Sequence, residues 1–71
     1  MDYTEEDLLE AKRQIDSTLH KLRETIKTLE GKENPQRYKS QITLAKRRVN
    51  AFEIASSLIE RELEAQHTHR P

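Results

Sequence analysis

His67 and His69 stand one residue apart, a spacing at which two imidazoles can share a metal ion. Such a site also needs a third ligand and neighbours that orient the rings. The surrounding tail, Ala65-Gln66-His67-Thr68-His69-Arg70-Pro71, has no apolar periodicity and supplies neither, so no metal ligand is expected. His20 falls off the apolar stripe of its helix and reads as a surface residue. Glu60 and Glu64 are carboxylates at helical spacing, where charge pairing and solubility account for them. No nucleophile can be matched with a base and an orienting group, and a single glycine cannot build a phosphate-binding loop. The expectation is a protein with no catalytic residues, no cofactor and no small-molecule substrate.

The densest charge run is Lys46-Arg47-Arg48. Together with Arg37 it has the chemistry to contact phosphates, which makes nucleic acid a candidate partner. Two features weigh against that reading. The formal net charge is +0, and no aromatic side chain is interleaved for base stacking. The alternative is a solvated strip, or one that pairs with acidic groups on a partner.

These side chains ride on two helices. Thr4 is placed to cap the first, with Asp7 completing a capping box and Glu5, Glu6 and Asp7 complementing the helix dipole. Leu8, Ile15, Leu22 and Leu29 then recur every seven residues, with Leu19 and Ile26 at alternate seam positions and Lys12 filling the remaining one. Ala11, Thr18 and Thr25 flank this seam with small side chains. Gly31 suits the left-handed position that often follows a last helical turn. Asn34 and Pro35 announce a second helix as cap and first residue. The spacing predicts helices over 4–30 and 35–65, a loop at 31–34, a single hairpin over 1–66, and a flexible tail at 67–71.

Helix two repeats the seam pattern with Tyr38, Ile42, Ala45, Val49, Phe52, Ser56, Ile59 and Leu63. So short a loop folds it back antiparallel to helix one. Folding about residues 31–34 sets Leu8 near Ser56 and Ile59, and Ile15 near Val49 and Phe52. Lys12 and Ser56 then share one region, where a polar layer costs stability and fixes register. Beside this seam runs a second row: Leu44, Ala51, Ala55 and Leu58. Two apolar rows on one helix imply two neighbours. Helix one is the first; the second must come from another molecule.

Composition agrees. With 71 residues, no cysteine and 37% charged side chains, the chain has neither a disulfide staple nor a large core. Oligomerisation is the remaining means of stabilisation. No apolar run approaches the roughly 20 residues needed to cross a bilayer. The acidic start lacks the pattern of a secretion signal, so a soluble, cytoplasmic protein is expected. Charge is unevenly spread. Residues 1–10 carry five acids and no base, whereas residues 11–50 carry eleven bases and four acids. A hairpin therefore has an acidic terminal end and a basic loop end, which favours a dimer with opposite ends together. Burying the second row would hide on the order of several hundred Å² per chain, roughly 10 kcal/mol of gross hydrophobic free energy before entropy is subtracted.

Three resemblances bear on this reading. Leu8-Leu9 followed by Lys12-Arg13-Gln14-Ile15-Asp16 resembles the opening helix of all-helical chorismate mutases. Here Lys12 replaces the family arginine, and the third helix and later catalytic Glu and Gln have no counterpart. Ala45-Lys46-Arg47-Arg48-Val49-Asn50-Ala51-Phe52-Glu53-Ile54-Ala55, followed by Leu58-Ile59-Glu60-Arg61-Glu62-Leu63, resembles small two-helix proteins of Gram-positive bacteria and their mobile elements. That resemblance implies a bacterial, cytoplasmic helical hairpin and brings no activity. In architecture and size, the chain is similar to plasmid copy-number proteins that bind RNA hairpins as dimers; this implies phosphate contacts through Arg37, Lys46, Arg47 and Arg48. The expected fold is all-α, a coiled-coil-like antiparallel hairpin pairing into a homodimeric four-helix bundle. The expected role is a non-enzymatic interaction module, with a nucleic-acid-associated regulator as the alternative.

Overall fold

A computed structural model describes residues 2–68. Helix α1 spans Glu5–Glu30, a 3-10 turn spans Pro35–Tyr38, and helix α2 spans Lys39–Thr68. The two helices lie along one another in a rod measuring 58 × 18 × 14 Å. No helix among the described residues is long and apolar enough to cross a membrane.

The start of α1 follows from its residues. Asp7 donates its backbone N–H to the Thr4 hydroxyl at 3.1 Å, and the Thr4 N–H donates to the Asp7 carboxylate at 3.3 Å. Two otherwise orphaned donors are satisfied, and three acids occupy the first turn.

The end of α1 corrects one expectation. Gly31 is right-handed, at φ −84° and ψ −3°, not left-handed. Its N–H bonds to the Lys27 carbonyl at 3.1 Å, and the Lys32 N–H bonds to the Leu29 carbonyl at 3.3 Å. An added Cβ would stand 3.3 Å from the Lys27 oxygen, a tight approach. Asn34 also departs from its expected part. Its side chain makes no capping bond; its carbonyl accepts from the Arg37 N–H at 3.1 Å and closes the 3-10 turn that Pro35 opens. The Lys32 ammonium lies 6.0 Å from the centre of the Tyr38 ring across the loop.

Both ends of helix two are shifted. The α-helix proper begins at Lys39, four residues after Pro35, and continues to Thr68 beyond the expected end at 65. The later start leaves Pro35–Tyr38 as a 3-10 turn between the two α-helices. Ser56 contacts Lys12, as expected, and Asp16 as well. The extended end is held by two contacts to the start of the chain. The Gln66 amide donates to the Tyr3 carbonyl at 3.1 Å, and His67 lies 2.5 Å from Glu5. Of the expected flexible tail, His67 is therefore helical and His69 onward lies outside the described residues.

The seam is the one the heptads require. Leu8, Leu19, Ile42, Ala45 and Ser56 are buried, and Ile15, Leu22, Ile26, Leu29, Val49, Phe52, Ile59 and Leu63 are half-buried. Yet no large side chain among the described residues is fully buried. Two helices alone cannot wrap a core. Each seam residue keeps an edge in water, and that edge is stabilising surface not yet used.

Candidate interaction surfaces

Antiparallel packing gives the hairpin two broad faces, one on either side of the seam. Successive residues advance about 100° around a helix, so a seven-residue spacing returns to nearly the same side. The ion pairs identify which side is which.

Lys46, Glu53, Glu60 and His67 are spaced by seven along α2 and each meets a charge on α1. Lys46 is 3.1 Å from Glu30, and Glu53 is 2.6 Å from Arg23. Glu60 is 3.0 Å from Lys12, and His67 pairs with Glu5. One face is thus laced from the loop end to the terminal end.

At its centre is a polar cluster. The Lys12 ammonium bonds to Asp16 at 2.8 Å and to the Ser56 hydroxyl at 3.2 Å, and that hydroxyl donates to the other Asp16 oxygen at 2.9 Å. Hydrogen bonds from Lys12 and then Ser56 hold the Asp16 carboxyl below its ordinary pKa. Hydrogen bonds to Asp16 and then Glu60 hold the Lys12 ammonium above its own. The predicted Lys12/Ser56 layer is present, with Asp16 and Glu60 as further members. Ser56 is 8% exposed, so its hydroxyl needs both of these partners. The arrangement suits register setting. Among the described residues no group of metal-ligating side chains converges.

The opposite face shows no cross-helix ion pair among the described residues. On α1 it carries Ala11, Thr18 and Thr25. The two threonine hydroxyls bond backwards, to the Gln14 carbonyl at 3.0 Å and the Lys21 carbonyl at 2.9 Å. Their donors are spent within the helix, which leaves methyl groups to face a neighbour. On α2 the face carries the second apolar row. Leu44 is 44% and Leu58 56% exposed, Ala51 is exposed, and Ala55 is half-buried at the margin of the seam. Ile54, 54% exposed, adjoins the row on its outer side. At the terminal end of this face Tyr3, Asp7, Leu8, Ala11 and Ile59 line a shallow groove of about 420 Å³.

The basic residues do not assemble as one patch. Lys46, Arg47 and Arg48 are consecutive, so they fan out by about 100° each. Lys46 turns to the laced face and Glu30, Arg47 points outward, and Arg48 borders the apolar row. Arg37 lies apart, on the 3-10 turn at the loop. Sequence reasoning missed Asp16, Glu60 and Ile54 as members of these surfaces. The signal for Glu60 was the heptad of charges at 46, 53, 60 and 67, and for Asp16 the matching series at 16, 23 and 30 on α1. For Ile54 it was the alternating three-and-four spacing of 51, 54 and 58.

No family model matches this chain, and no curated protein or solved structure matches it either.

Proposed function

We propose that this chain is a non-enzymatic self-association module, in which two hairpins pair as a homodimeric four-helix bundle and present their laced, charged faces to a further protein partner. One observation carries the reading. Leu44 and Leu58 are about half exposed on the face opposite the laced one, at the spacing of a coiled-coil seam. The half-open seam adds to it, since a second hairpin would cover the apolar edges of Ile15, Leu22, Val49 and Ile59 as well. Fully burying a leucine contributes about 1.5–3 kcal/mol. Four half-exposed leucines across two copies, plus the seam edges, give a gross term that can offset the entropy of association. Sedimentation equilibrium at micromolar concentration tests the reading: a dimer supports it, and a well-folded monomer removes its motive. The resemblance of helix two to small proteins of Gram-positive bacteria supports a bacterial, cytoplasmic setting for such a module.

Contact with nucleic-acid phosphates, the second reading, draws on Arg47 and Arg48, both exposed. It draws less on Lys46, which is engaged by Glu30. A gel shift at low salt against mixed RNA and DNA separates the two. Binding that Arg47→Ala/Arg48→Ala abolishes favours the regulator; no shift in wild type favours the module.

A further inference from the structure

Leu44 lies seven residues before Ala51 and Leu58 seven residues after it, while the unlike pair Arg47 and Ala55 stands four residues to either side. The Leu44-Ala51-Leu58 spacing reads alike in both directions and matches a copy of itself running the opposite way. Its midpoint is an alanine, the side chain that lets two helix backbones approach most closely short of glycine. Charge selects the same direction. The loop end carries Lys32, Arg37 and Lys39 against Glu33; the terminal end carries Glu5, Glu6, Asp7 and Glu62 against Arg61. Antiparallel copies bring these ends together, whereas parallel copies stack like on like. The groove lined by Tyr3, Leu8, Ala11 and Ile59, with Asp7 among its lining residues, lies on the same broad face, next to Leu58. In an antiparallel pair, the residue arriving at that level is Leu44 of the partner.

We propose that two copies meet antiparallel across a twofold axis at Ala51, so that Leu44 of each packs on Leu58 of the other, at the mouth of the groove formed by Tyr3, Leu8, Ala11 and Ile59. This rests on the self-association reading and adds its geometry. A twofold axis there makes the interface self-complementary and closed, so assembly stops at two. Opposite each Arg47 comes the small Ala55 of the partner. The aliphatic stem of the arginine can lie across that alanine while its guanidinium reaches water.

The chain has no cysteine, so single introduced thiols report on this geometry without interference. Ala51→Cys, Arg47→Cys and Ala55→Cys are prepared in the full chain, checked for helicity by circular dichroism, and oxidised mildly at micromolar concentration. Across an antiparallel axis at Ala51, two Arg47 positions are offset along the helices by about 12 Å, beyond disulfide reach. Ala51→Cys is expected to form a covalent dimer about tenfold faster than Arg47→Cys or Ala55→Cys alone. A mixture of Arg47→Cys and Ala55→Cys chains should link to each other in preference to themselves. If each single variant links to itself equally fast, the copies are parallel and the proposal is overturned. If the protein sediments as a dimer but Ala51→Cys does not link, the axis lies elsewhere: the geometry fails and self-association stands. If wild type sediments as a monomer, both fail.

Discussion

The two broad faces of this hairpin are built from the same heptad and do opposite things. On one, charges at seven-residue intervals reach across from α2 to α1, and a buried serine ties Lys12 to Asp16. On the other, equally regular positions carry leucine and alanine, and the threonines have turned their hydroxyls inward. The laced face satisfies itself within one chain. Exposed ion pairs of this kind contribute little stability each, but they specify which residue meets which. The apolar face contributes nothing while it faces water and several kcal/mol once covered. On the proposed reading, register and association fall to opposite sides of a molecule two helices thick.

That contrast can be broken from either side. The largest effect belongs to the apolar face. Leu58→Lys sets a charge where Leu58 meets Leu44 in the proposed contact and should raise the dissociation constant at least about a hundredfold, on the order of 3 kcal/mol. Helicity should fall with it, measured by circular dichroism at micromolar protein. Next comes the seam that serves both faces. Leu19 is 5% exposed, and Leu19→Ala should cost about 2–4 kcal/mol in a urea titration, toward the lower end because the site is shallow.

The polar cluster supplies a pH test. The Asp16 carboxyl titrates below its ordinary value in the folded chain, so its contribution is complete above that ordinary value. It is lost as pH falls through the lowered folded value. Asp16→Asn should therefore flatten the acid limb of a stability–pH profile and leave the neutral-pH oligomer intact. Lys12 acts in the opposite sense: its contribution is complete below its ordinary value and is lost as pH rises through the raised folded value. A smaller effect is expected of Glu53→Lys, which sets a like charge against Arg23 on the laced face. It should cost a few tenths of a kcal/mol to about 1 kcal/mol and vanish in high salt. Smallest is Gly31→Ala. The backbone there suits any residue, and the cost is limited to the 3.3 Å approach of the Lys27 carbonyl, within about 0.5 kcal/mol of neutral by thermal melting.

How much of this was legible in the sequence depends on the scale of the signal. Seam membership was fully legible, because each position is reinforced by neighbours three, four and seven residues away. The capping box at Thr4 and Asp7 was legible because it needs only local geometry. The start of α2 was not. Asn34-Pro35 marks the start of an α-helix or a 3-10 turn alike, since both accept proline at the first position, so the residue at which the α-helix proper begins was hidden. Gly31 misled for a related reason: a glycine after a helix is compatible with a left-handed cap or with a close approach. The exposed row Leu44, Ala51, Ala55, Leu58 was legible as a pattern, but which broad face it shares follows only from the ion pairs. Those were hidden because Lys46 reads first as one of three consecutive bases, and only secondly as one member of a heptad of charges.

Sedimentation equilibrium of the wild-type chain at micromolar concentration tests the central claim most directly. The account predicts a single species of twice the 8.4 kDa chain mass, shifting toward the chain mass in Leu58→Lys. A helical, stable species of 8.4 kDa at that concentration would contradict it, for then the leucines of α2 face water at no cost to the fold.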